Sequence, residues 1–353
     1  MNIQTLIANL AVENESDRSD AAEDLGYAGA VEAIAPLVAR LHTEPSHKVR
    51  ETIFSALARI ESSEVFSQVA ALLDSDDAFL RNQTVALLQS KGAKAAPILL
   101  ARMNDADPDV RKFVLDAAAA IASPRIDPIF AAGMRDPDPN VLIAALEHVG
   151  EHRMGGFKSV VEELFLKATE PMLVCAAFAA LLQIGDAASW KIIRQRYPTA
   201  ASVPTWELGW WIRALGEYGA AGEIEVFHGI LQKHDGRVAS DTIDALERFQ
   251  VRHGRVEITE EFWKLLQELL QDGLPPKDKL QLLSVAGGFG GPPAIGGFLA
   301  SLLSHDDHLT KLGAIEGLKR LGRSDLMARV RDCRAKESDA EILEALRECE
   351  RTP

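Results

Sequence analysis

Cysteine is scarce in this chain, with three residues (Cys175, Cys333 and Cys349) set far apart. No CxxC pair exists, so neither a disulfide framework nor a cysteine-ligated zinc site is indicated. Aromatic residues make up only 6% of the chain against 47% hydrophobic residues overall. That balance favours closely packed helices over an aromatic, strand-rich core, and excludes disorder. No run approaches 18 apolar residues, so no membrane-spanning helix is expected. Met1 to Val12 lacks the basic start and long apolar stretch of a secretory signal, which makes the cytoplasm the expected location. Basic residues are also in deficit, 38 against 52 acidic, for a net charge of −14. Without a dense Lys/Arg cluster, neither phosphate neutralisation along a nucleic acid nor adsorption to an anionic membrane is expected. A partner, if charged, is expected to be basic.

What the chain does have is repetition. Val49-Arg50, Leu80-Arg81 and Val110-Arg111 belong to one dipeptide class, spaced 31 and then 30 residues apart, and each opens an apolar run. Val141 follows Val110 by 31 residues, and Arg18 precedes Arg50 by 32. A fixed period near 30 marks a stacked-repeat solenoid, in which each unit contacts its neighbours and no central core has to grow. Within one unit, Asp105-Ala-Asp-Pro-Asp109 supplies turn and N-cap residues. Val110, Val114, Ala117, Ala118 and Ile121 then recur at helical spacing. Ser123-Pro124 ends that helix, and Ile126, Ile129, Phe130 and Met134 make a second stripe. Continued along the chain, the pattern predicts about eleven helix pairs in a single array over 1–353, regular over 1–197 and looser over 198–353. Leu57, Leu88, Val110, Ile121 and Val149 are the expected core.

The residues that carry the repeat resemble the HEAT repeat, in the short bacterial form also found in phycobilisome-lyase-type proteins. They are Asp105 to Arg111 with Asp116 to Ala120, Ser46 to Arg50 with Ser55-Ala-Leu57, and Ala96 to Leu100 with Asn104-Asp105. The resemblance implies an all-α superhelix whose second helices, those opened by Val-Arg, line a concave face. It also implies that Arg50, Arg81 and Arg111 reach the Asp of the preceding turn. Leu142 and Val174 stand where the arginine is absent.

Four local features bear on chemistry. His148-Val-Gly-Glu-His152 matches the H-x-x-E-H pattern, which on a helix sets two histidines one turn apart with Glu151 as a base. It sits at a helix end with no third ligand evident, so no metal is expected, and no cofactor. Gly287 to Gly297 looks like a phosphate cradle but lacks the Gly-Lys-Ser/Thr ending and a preceding strand; it reads as a turn or hinge between two helices. Trp206-Glu-Leu-Gly-Trp-Trp211 concentrates three of the five tryptophans. Trp206 and Trp210 are four apart and so predicted to share a helix face. Core filling and an exposed binding anchor both fit that cluster. Asp116, Glu147, Glu151, Ser55 and Arg59 occupy solvent-facing offsets, as a solvated face or a recognition surface.

These features favour a non-enzymatic scaffold that binds a partner protein along its helical face through Trp206, Trp210, Trp211, Asp116, Glu147 and Glu151. The alternatives are a subunit of a phycobilin-lyase-like enzyme and a nucleic-acid-binding or DNA-repair solenoid, the latter opposed by the charge.

Overall fold

The fold is described from a computed structural model that covers residues 2–233, 238–271 and 273–351. It is all-helical apart from one pair of two-residue strands, with twenty-two α-helices among the described residues. The chain divides into two compact units, Met1–Ile184 and Gly185–Pro353.

The first unit holds α1 (Ile3–Asn9), α2 (Glu15–Ala28), α3 (Ile34–Leu41), α4 (His47–Arg59), α5 (Ser63–Ala70), α6 (Ala78–Ser90), α7 (Ala96–Arg102), α8 (Pro108–Ala119), α9 (Asp127–Gly133), α10 (Pro139–Glu151), α11 (Lys158–Lys167) and α12 (Pro171–Ile184). The even-numbered helices begin where the sequence places acidic, amide or hydroxyl side chains. The Asp107 side chain accepts from the Asp109 N–H, and Asp138 from those of Asn140 and Val141; Pro108 and Pro139 follow each cap directly. Each cap satisfies an N–H that the helix itself cannot, and the proline has no N–H to lose at that position. Even-numbered helices pack against the next even one from α2 to α12, and odd against the next odd from α3 to α9, giving two layers. Leu57, Leu88, Val110, Ile121 and Val149 are all buried between them.

Close helix approach depends on small residues. A Cβ on Gly26 of α2 would lie 2.6 Å from the Ala56 Cα of α4. Such contact gives tight packing but leaves no room for growth.

The second unit holds α13 (Ser189–Arg196), α14 (Leu208–Tyr218), α15 (Ile224–Lys233), α16 (Ala239–His253), α17 (Glu260–Gln271), α18 (Pro276–Ala286), α19 (Ala294–Ser301), α20 (His308–Leu321), α21 (Met327–Lys336) and α22 (Ala340–Arg351). The layering recurs, with α14 on α16, α16 on α18, and α18 on α20 and on to α22. The glycine-rich stretch after α18 is more than a turn. Gly287 caps α18 and touches α20 so closely that a Cβ there would meet the Gly317 carbonyl oxygen at 1.8 Å. Phe289–Gly290 then pairs in parallel with Val256–Glu257. No helix among the described residues is long and apolar enough to cross a membrane.

Candidate functional site

The arginines that mark the repeat bind forward as well as back. Arg111 donates through Nε and Nη2 to Asp136 (2.7 and 2.8 Å), while Nη1 takes the carbonyls of Asp105 and Ala106. Arg50 likewise pairs with Asp77, and Arg18 with Glu44. The resemblance implied a carboxylate in the preceding turn. Instead the preceding turn offers backbone carbonyls to Arg18 and Arg111, and for all three the carboxylate comes from the following unit, 25 to 27 residues on. Arg81 departs from this: it bonds the Ser75 carbonyl and lies over the Phe113 ring. The same device returns in the second unit as Lys311–Glu337 at 2.7 Å, 26 residues apart, where the sequence shows no Val-Arg to flag it. The Lys311 bond, helped by two backbone N–H groups, holds the Glu337 carboxyl down at about 2.

The tryptophan cluster is split by its surroundings. Trp211 is fully buried, tilted against Trp190 with ring centroids 5.1 Å apart, and its Nε1–H donates to the Tyr197 carbonyl at 3.2 Å. Trp190 in turn donates to Glu223 at 2.7 Å. These contacts pin the chain on either side of Pro198, and they remove Trp211 from the candidate binding residues. It is core, because one flank of α14 must face α13.

Trp206 lies in the turn before α14 rather than on it, so the expected i, i+4 helix pair does not form. Trp206 is nonetheless 66% exposed, and it lines one cleft of about 420 Å³ together with the half-buried Trp210. The cleft runs between α14 and α16, where Arg213, Asp241, Asp244 and Arg248 complete its wall. Gly209 allows the closeness, since a Cβ there would sit 2.9 Å from Asp241 Oδ2. Burial and the neighbouring Asp244 push the Asp241 carboxyl upward. Arg248 is committed to Glu217 at 2.6 Å, whereas the buried Arg213 Nε has no hydrogen-bond partner among the described residues. The cleft therefore offers an aromatic face beside two carboxylates and two arginines, one of them paired with Glu217. The sequence pointed to the tryptophans but not to Asp241 or Asp244. The available signal was the period itself, since residues on adjacent even-numbered helices meet 31 to 36 positions apart.

The acidic candidates lie in the first unit. Glu147 and Glu151 are exposed on α10, and Asp116 on α8 is half-buried and bonded to the His148 ring. Ser55 and Arg59 are exposed on α4, with Arg59 over the Tyr27 ring at 4.5 Å. All of these stand on even-numbered helices.

Residues 3–89 match the family described as HEAT repeats. No curated protein matches the chain in sequence. Among solved structures, the chain is similar to an engineered protein at 18% identity, covering 100% of this chain and 99% of that one at a TM-score of 0.36. It is also similar to the YibA protein of E. coli, at 17% identity over 71% of this chain and 93% of that one, TM-score 0.40. A third likeness is to a structure from work on a phosphorylation switch between cadherin and beta-catenin, at 11% identity over 98% and 99%, TM-score 0.40. At these identities and scores the likenesses bear on none of the residues above.

Proposed function

We propose that this HEAT-repeat protein is a non-enzymatic scaffold that docks a partner protein on its even-numbered helices, with Trp206 as the anchor. The observation that carries the reading is a tryptophan 66% exposed at the mouth of a cleft of about 420 Å³. A large aromatic side chain left in water forgoes the stabilisation of burial, and tryptophan at a concave site is the residue type most often found to dominate binding energy. The expected partner group is cationic. Asp241 and Asp244 line the same cleft as Trp206, and a guanidinium or ammonium over a tryptophan face gains cation–π attraction with carboxylates in reach. The chain's net charge of −14 favours the same sign of partner at long range.

The test is affinity capture from the native cell with wild type and Trp206→Ala side by side, quantified by mass spectrometry. A protein held by wild type and depleted at least tenfold from Trp206→Ala, with unchanged melting of the bait, supports the reading. Equal capture by both baits refutes the anchor.

A further inference from the structure

We infer that Glu151, His148 and His152 at the C-terminal turn of α10 form a binding site for a zinc-class divalent ion, with Asp116 of α8 as the positioning residue. The two histidines and the glutamate each bring one donor atom to within 4.8 Å of the others. From sequence, Glu151 counted as a base and the histidines lacked a third ligand. In the fold its carboxylate sits 3.8 Å from His148 Nδ1, in the place of that ligand.

The surroundings of His148 support metal binding. Its Nε2 lies 2.8 Å from Asp116 Oδ1, and a carboxylate accepts, so Nε2 carries the hydrogen. With that tautomer the lone pair for a metal is at Nδ1, and that atom is buried with no hydrogen-bond partner among the described residues. An acceptor shut away from water without a donor is costly unless something occupies it. Carboxylate, histidine and metal in line is the usual way a ligating ring is oriented and made more basic. Asp116 is held in turn from α6, where Gln89 Nε2 donates to its backbone carbonyl at 3.1 Å.

Geometry allows closure. Donors around a tetrahedral ion at about 2.1 Å stand roughly 3.4 Å apart. Glu151 is 71% exposed on its side chain and His152 is exposed at the helix end, so both can rotate inward onto the fixed His148. Two nitrogens and one oxygen suit zinc and its neighbours rather than calcium or magnesium, which demand oxygen-rich cages. Three protein ligands leave a fourth position for water.

The test uses the full chain stripped with chelator and titrated with zinc alone by calorimetry, then with cobalt(II) by visible absorption. One ion per chain is expected, with cobalt bands of a four-coordinate site. His152→Ala and Glu151→Gln change exposed positions, so they leave the fold intact, and both should lose the bands. Asp116→Asn should weaken zinc about 10–100-fold without abolishing it. Zinc bound by wild type no more tightly than by His152→Ala, or cobalt spectra that stay octahedral in wild type, would overturn the assignment.

Discussion

Glu44 accepts four hydrogen bonds in a buried position, and removing it should be among the costliest single changes. Its side chain is 0% exposed, lying between Arg18 (7%) and Arg40 (20%). Arg18 grips it with two hydrogen bonds of 2.9 and 2.8 Å, Arg40 with Nε at 2.8 Å, and the Ser46 N–H adds a fourth at 2.9 Å. Glu44→Ala leaves the Arg18 guanidinium buried with only the carbonyls of Val12 and Glu13. Breaking a buried pair from one side typically costs about 3–5 kcal/mol, because the stranded charge keeps its desolvation penalty. Glu61 provides the contrast: it also pairs with lysines, but its side chain is 70% exposed, so water screens the pairs and Glu61→Ala should cost far less. Urea unfolding followed by circular dichroism measures both. Since stacked repeats unfold with neighbour coupling, hydrogen exchange should place the Glu44→Ala loss in α2 to α4. The pH dependence has a defined sign. Burial works to raise the Glu44 carboxyl, but the Arg18, Ser46 and Arg40 bonds win and bring it from an ordinary 4.5 to about 2. A depressed folded value means that the stabilisation is complete above the unfolded value and fades as pH falls toward 2. The wild-type advantage over Glu44→Ala should therefore shrink between about pH 4.5 and 2. A Glu44→Ala cost under about 1 kcal/mol at neutral pH, the range of an exposed pair, would refute the account.

The tryptophans should divide in thermal melts. Trp211→Ala costs about 3–5 kcal/mol as a buried aromatic deletion, while Trp206→Ala stays within about 0.5 kcal/mol as a surface change; equal effects would mean that the two environments are misassigned. Gly287→Ala should destabilise the second unit by about 1–3 kcal/mol, the cost of overpacking, read as a lowered urea midpoint. A mere turn or hinge at Gly287 would instead tolerate alanine.

Much of the fold was legible because its signals are local. A cap such as Asp107 before Pro108 and a stripe such as Val110, Val114 and Ala117 each lie within one helix, and helical spacing alone decides which side is buried. The loosened spacing after Pro198 also singled out the Trp206–Trp211 stretch as a candidate site. It placed Trp206 on a helix that begins two residues later, at Leu208, since turn geometry depends on what pins the chain. Here the pin is the Trp211 bond to the Tyr197 carbonyl.

The sequence by itself determined the helical period, the position of the caps, the apolar faces, and therefore a layered stack of helix pairs. Only the tertiary structure decided partners. Whether Arg111 reaches Asp105 or Asp136, which tryptophan turns inward, that Asp241 lines one cleft with Trp206, and that Asp116 meets His148 all depend on how one helix is rotated and shifted against another. Periodicity fixes a face about a helix's own axis. The group that meets that face comes from a neighbouring unit some 25 to 36 residues away, and its register is set by contacts as small as the one between Gly26 and Ala56.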